Sequence, residues 1–242
     1  MNSIDYVDKF QRNLIPEIYQ HDRPLVLKGF VEEVEKFATW KDVEDIFNAG
    51  LYNVEIVSNR QKMDVPHYPY FWNPWRVQDK AFIFDKVNQG DTFVIHQYSQ
   101  HNPYIANFCE AIERTFDVIC DTHIYGNIGT TAESFCPHID IPVNLIFQVE
   151  GKTTWRMYKN MCSDLLTQNE VNVNVREDDL EVLVEYELEP GDMLYVPARN
   201  FHGAFPDSQR LSISIPCRSK KYNTVSRDNN LDRRRLKIDY CR

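Results

Sequence analysis

The chain has 242 residues, 43% hydrophobic and 13% aromatic, with only eight glycines. That composition excludes a disordered or fibrous chain and suits one large domain or two small ones. Net charge is −9, but Arg218 to Arg242 holds nine basic and three acidic residues, so the remainder carries −15. An acidic body argues against non-specific nucleic-acid binding, which needs clustered basic residues on phosphates. The basic tail, with "DRRRLK", is a solvated terminus, a segment docked on its own acidic body, or a contact for an anionic partner.

In chain order, "MNSIDYVDKFQRNLIPEIYQ" has no basic-then-apolar signal pattern. It reads as an amphipathic helix with Ile4, Phe10, Leu14 and Ile18 near helical spacing. No run of about 18 apolar residues follows, so no membrane span is expected and a cytoplasmic (intracellular) protein is. "RPLVLKGF" reads as a strand, "KDVEDIFNAG" as a short helix ended by Gly50, and "YNVEIVS" as an alternating strand. "HYPYFWNPW" is an aromatic, proline-rich loop. "DTFVIHQYS" is a strand, and "NPYIANFCEAIERTFD" a helix with Pro103 in its first turn, where a missing N–H costs little.

From about residue 120 the pattern turns to strands. "THIYGNI", "PVNLIFQVEG", "TTWRMYK", "VLVEYELEPGDMLYVPA" and "RLSISIP" are broken by Gly151, Pro190-Gly191, Pro197 and Pro206. Short strands with tight turns predict a mainly β fold with flanking helices. The expected organisation is 1–118, helices and strands packing on a barrel; 119–217, the catalytic barrel; and 218–242, the basic tail. Six scattered cysteines contain no C-x-x-C pair, so neither zinc-site spacing nor a disulfide framework is expected. Cys136 stands out because it lies two residues before His138.

The stretch "SFCPHIDIPVNLIF" places His138 and Asp140 two residues apart at the start of a β-rich run. On a strand both would project to one side. A carboxylate buried there needs a partner or a metal. "LEPGDMLYVPARNFHGAF" supplies His202, 62 residues after Asp140. Two histidines and one carboxylate with open positions form the facial triad of non-haem Fe(II) oxygenases. Zinc peptidases also use two histidines and a carboxylate, but no H-E-x-x-H is present, and the H-x-H of bicupin isomerases is absent as well. His67, His96, His101 and His123 read as surface or internally satisfied residues.

The run "SFCPHID…N…QVEGKTTW…LEPGDMLYVPARNFHGAF…RLSISI" resembles the JmjC/cupin-like family of Fe(II)- and 2-oxoglutarate-dependent oxygenases, which includes protein and ribosomal hydroxylases. The resemblance covers roughly Pro24 to Pro216 and is strong from Tyr125 to Ile215. It implies a double-stranded β-helix (jelly roll, cupin) fold. It implies Fe(II) on His138, Asp140 and His202, with 2-oxoglutarate as cosubstrate converted to succinate and CO₂ while a C–H bond is hydroxylated. Asn144 matches an asparagine that some members place near the cosubstrate.

One departure concerns the cosubstrate's distal carboxylate. Many members read Gly-x-Lys-x-Trp and use that lysine; here Gly151-Lys152-Thr153-Thr154-Trp155 puts Thr153 in its place and Lys152 one residue early. One residue reverses the face of a strand, so Lys152 serves only if a bulge restores the register. Arg210 is the other candidate, since prolyl-hydroxylase-like relatives carry a basic residue near there. It would grip bidentately, helped by Ser212, the Thr153 hydroxyl and Tyr125.

The resemblance leans toward a protein or peptide substrate; a small molecule stays open, and so does demethylation. A homodimer through the tail is compatible with such folds. The rival functions are a cupin-fold zinc or manganese hydrolase or isomerase, and a non-catalytic binding module that does not use 2-oxoglutarate.

Overall fold

In the computed structural model, residues 3–21, 23–50, 53–69, 76–129, 134–162 and 176–220 are described. The strand Val143–Glu150 there divides the molecule into two environments. Its side chains alternate, as a pleated strand requires. Leu145, Phe147 and Val149 enter a large aromatic core, whereas Ile146 joins Trp155, Met157, Leu188, Leu194 and Val196 in a second cluster.

Among the described residues the helices are α1 (Ser3–Lys9), α2 (Ile15–His21), α3 (Trp40–Ala49), α4 (Lys80–Asn88) and α5 (Pro103–Phe116), with a π-type turn at Phe10–Leu14 between the first two. The strands are β1 (Leu25–Leu27), β2 (Val54–Ser58), β3 (Gln61–Met63), β4 (His67–Pro69), β5 (Arg76–Gln78), β6 (Thr92–His96) and β7 (Val118–Cys120). They continue as β8 (His123–Asn127), β9 (Val143–Glu150), β10 (Thr153–Met161), β11 (Val182–Leu188), β12 (Met193–Val196), β13 (Asn200–Pro206) and β14 (Arg210–Ser219).

A nine-stranded antiparallel sheet runs β1-β12-β9-β14-β8-β6-β2-β3, with β7 also on β14. A three-stranded sheet, β11-β10-β13, faces it across the second cluster. These two sheets are the walls of a double-stranded β-helix. The run from Val182 to Ala198, expected to break at Pro190-Gly191, forms two strands that part at that corner: β11 joins the small sheet and β12 the large one. Strands before residue 118 extend the large sheet, because β1 pairs with β12 and β6 with β8. The aromatic loop expected over 67–75 begins as β4, and positions 70–75 lie outside the described residues, as do those of the tail after 220.

The helices cover the other face of the large sheet. Phe108 of α5 meets Tyr6 at 4.6 Å, Phe37 at 4.9 Å and Phe147 at 5.2 Å between ring centroids. Such buried aromatics supply most of the favourable area term, about 1.5–3 kcal/mol each. α3 starts at a capping box in which Thr39 and Asp42 satisfy each other's backbone N–H, and ends at left-handed Gly50. Gly151 turns β9 into β10 at φ +67°, where a Cβ would come within 1.9 Å of the Gln209 carbonyl. That turn sets the phase of β10, so that Thr153, Trp155 and Met157 are buried while Lys152 is exposed.

Candidate metal centre and cosubstrate cleft

The segment carrying His138 and Asp140 is not a regular strand. His138 forms an isolated antiparallel bridge with His202, N–H to carbonyl in both directions at 3.0 and 2.9 Å. This backbone pair, rather than a shared strand face, brings the two imidazoles together, with ring centroids 4.6 Å apart. Ile139 is fully buried between the two ligand positions. Asp140 is held from behind, its carbonyl accepting from Arg199 N–H at 2.7 Å.

The ring nitrogens are sorted by their partners. His138 Nδ1 donates to the Cys136 carbonyl and His202 Nδ1 to the Asn200 carbonyl, each at 2.8 Å. Both Nε2 atoms are thereby the ring nitrogens open to another partner. They face Asp140 Oδ2, at 4.0 Å from His138 and 3.5 Å from His202. The three donor atoms lie within 4.8 Å of one another, the only such cluster among the described residues. Burial and the neighbouring His202 push the His138 pKa down and favour the neutral ring. Burial works against the Asp140 carboxylate, but His202, His138 and Asn144 outweigh it and hold its pKa below the ordinary range. Two imidazoles and one carboxylate converging from one side suit a divalent ion with open positions.

A narrow cleft opens beside the triad, lined among others by Tyr125, Asn144, Trp155, Arg210 and Ser212. Arg210 is 1% exposed. Its Nε donates to Asn127 Oδ1 at 3.2 Å and a terminal nitrogen to Ser134 Oγ at 3.4 Å. Both partners are neutral, and no carboxylate among the described residues pairs with it. Burial lowers its pKa to about 10. An unpaired guanidinium inside a fold is costly unless an anion joins it.

The other expected residues fall into three groups. Asn144 is buried and donates to Asp140 Oδ2 at 2.5 Å, leaving its own Oδ1 without a partner. Tyr125 lines the cleft, its phenol kept protonated by burial and by Asp140 and Glu55. Ser212 also lines it, with its hydroxyl already donated to Gln148 at 3.0 Å. Thr153 is fully buried with an unpartnered hydroxyl, but it is not among the residues that line the cleft. Lys152, expected as one of the two candidates for the distal carboxylate, does not reach the cleft but bonds Glu187 at 3.1 Å and Glu189 at 2.5 Å on the outer surface. No bulge restores its register, because the ladder runs evenly from Thr153 to Met157 on both neighbours.

Asn127, Ser134 and Phe135 belong to the site without a sequence signal beyond their nearness to the motif. Trp155 lines the cleft and stacks on His202 with ring centroids 6.1 Å apart. His96 and His123 meet each other, their Nδ1 atoms 2.9 Å apart, with the Glu55 carboxylate 3.3 Å from His96 and that of Asp121 3.8 Å from His123; His96 Nε2 is buried without a hydrogen-bond partner.

The chain resembles the bifunctional lysine-specific demethylase and histidyl-hydroxylase NO66 of Drosophila willistoni, 27% identical over 134 residues, which is 55% of this chain and 17% of that protein. Ribosomal oxygenase 1 of Danio rerio is 33% identical over 86 residues, 34% of this chain and 16% of that one. Among solved structures, the Escherichia coli ribosomal oxygenase YcfD superposes with TM-score 0.60 at 18% identity, over 86% of this chain and 52% of that chain. YcfD in complex with cobalt and 2-oxoglutarate gives TM-score 0.57 at 19% identity, over 86% of this chain and 52% of that chain. The chain thus spans about half of the solved relative and less than a fifth of these curated ones. The family model described as JmjC domain matches residues 94–225, more than half of the sequence, and with the fold and the triad on the same segment the chain belongs to the JmjC domain family.

Proposed function

We propose that the protein is an Fe(II)- and 2-oxoglutarate-dependent oxygenase that hydroxylates a C–H bond of a protein or peptide side chain. One observation carries this: a three-ligand facial cluster shares its cleft with a buried cation that lacks a counter-ion. A dianion with one end for a metal and the other for a guanidinium fits both needs. The relatives named as histidyl-hydroxylase and ribosomal oxygenase support a protein substrate.

His138, Asp140 and His202 would hold Fe(II), which, when bound with 2-oxoglutarate, supplies the oxygen-activating chemistry. Each residue's task then follows from its contacts. The Cys136 and Asn200 carbonyls fix the tautomer of the two rings. Asn144 orients Asp140 and shields one of its lone pairs. Arg210 binds the distal carboxylate, and Tyr125, kept as a phenol, is a second donor. Trp155, Ile146 and Ala204 form an apolar wall that excludes water from the reacting end.

The test is thermal unfolding of metal-stripped protein with Mn(II), with and without 2-oxoglutarate. Cosubstrate at about 100 times its dissociation constant adds roughly 2.7 kcal/mol. At roughly 2–4 °C per kcal/mol this raises Tm by about 5–11 °C. His138→Ala removes the metal and cosubstrate shifts; Arg210→Ala removes the cosubstrate shift alone. A metal shift with no response to 2-oxoglutarate would point instead to the hydrolase, isomerase or binding-module alternatives.

A further inference from the structure

The guanidinium of Arg210 is directed by groups that cannot neutralise it. Arg210 and Asn127 are direct cross-strand partners, at the ends of β14 and β8. Asn127 is fully buried. Its amide nitrogen donates to the Gly129 carbonyl at 2.8 Å and the Ser208 carbonyl at 3.0 Å. Both of its N–H groups are thus occupied, which leaves Oδ1 to face Arg210 Nε. Ser134 meets the guanidinium from another side through a hydroxyl. An aspartate is the usual buried partner of an arginine, and it would satisfy Arg210 more strongly than an amide does. It would also consume the charge.

Resting on the reading of Arg210 as the carboxylate anchor, we infer that Asn127 is a positioning residue for the cosubstrate: it aims the Arg210 guanidinium into the cleft and leaves its positive charge free for an incoming carboxylate. Ser134 does the same at a terminal nitrogen. The sites where the fold withholds an acid determine selectivity for a dianionic keto acid, and the anchor has moved from β10, where Thr153 stands, to β14.

Binding of two keto acids to Mn(II)-loaded protein tests this: 2-oxoglutarate, and 2-oxopentanoate, which has the same keto acid end and a methyl group in place of the distal carboxylate. The wild-type protein prefers 2-oxoglutarate by about tenfold to hundredfold, the scale of a charge-assisted pair. Asn127→Asp brings that preference close to one while the Mn(II) affinity is retained. A merely structural role would weaken both keto acids alike and leave the preference intact. Asn127→Ala, which adds no charge, keeps part of the preference. The carboxylate introduced by Asn127→Asp would also face two carbonyls, so Ser134→Asp is measured in parallel and decides the matter if the first variant does not fold. Wild-type preference in the folded aspartate variant overturns the inference. Arg210→Met separates the two levels. If it too retains the preference, the anchor reading itself has failed; if it loses the preference while the aspartate variants do not, only the positioning role has failed.

Discussion

At the residue scale, the site sets stability against function at one side chain. Arg210 contributes a buried positive charge with neutral partners, so the empty fold bears its desolvation cost. Replacing it by Met, of similar length and apolar, removes that cost. The ligand-free Arg210→Met protein is therefore expected to be more stable than wild type, by on the order of 1–4 kcal/mol, and so to unfold at a higher temperature, while losing its 2-oxoglutarate shift. A lower Tm would show that the two neutral hydrogen bonds outweigh the burial. The triad residues were legible in sequence because their types and spacing carry their chemistry. Lys152 was ambiguous, since one position of register decides between cleft and solvent, and only the Gly151 turn resolves it. Asn127 was illegible: a lone asparagine acquires meaning only from the arginine that pairs with it 83 residues later.

At the element scale, the corner between β11 and β12 is tied by Asp192. It accepts from Lys28 Nζ at 2.6 Å, Gly29 N–H at 3.0 Å and Glu189 N–H at 2.8 Å. Through these bonds the segment after β1 is fixed to the turn that sends the chain from one sheet to the other. Burial opposes the charged form, yet the Lys28 ammonium and the two amides hold the Asp192 pKa below the ordinary carboxylate range. The folded state therefore binds this proton more weakly than the unfolded chain does. The resulting stabilisation is complete at neutral pH and fades as pH falls below about 4, toward the folded pKa. Asp192→Ala is expected to cost about 1.5–3 kcal/mol at pH 7, with a smaller difference from wild type near pH 3. Urea unfolding at the two pH values measures this, and an equal cost at both would mean that the charge contributes nothing. Most of the barrel strands were visible as period-two patterns. α4 was missed because "KAFIFDKVN" has no clean apolar face, and its start rests on Asp79 capping Ala81 and Phe82. β13 was hidden because "NFHGAFP" contains a glycine and a proline.

At the scale of the whole molecule, one sheet serves two purposes through its two faces. Leu145 and Phe147 of β9 pack on the helical layer, while Asn144 and Ile146, which alternate with them, line the cleft. Among the described residues no helix is long and apolar enough to cross a membrane; the helices instead bury their apolar faces on this sheet. The helical layer and the barrel should then melt together. Phe108 is the test, because it touches α1 through Tyr6, the loop before α3 through Phe37, and β9 through Phe147. Phe108→Ala leaves a cavity at that junction and is expected to cost about 3–5 kcal/mol, a Tm loss of roughly 6–20 °C. The transition should stay single, seen alike by circular dichroism and by tryptophan fluorescence. Because the deleted ring lies on the face away from the triad, Mn(II) affinity measured well below Tm should change by no more than a few-fold. Two separate transitions, with the metal-bound barrel melting at its original temperature, would show instead that the helices are an independent unit resting on a barrel that folds without them.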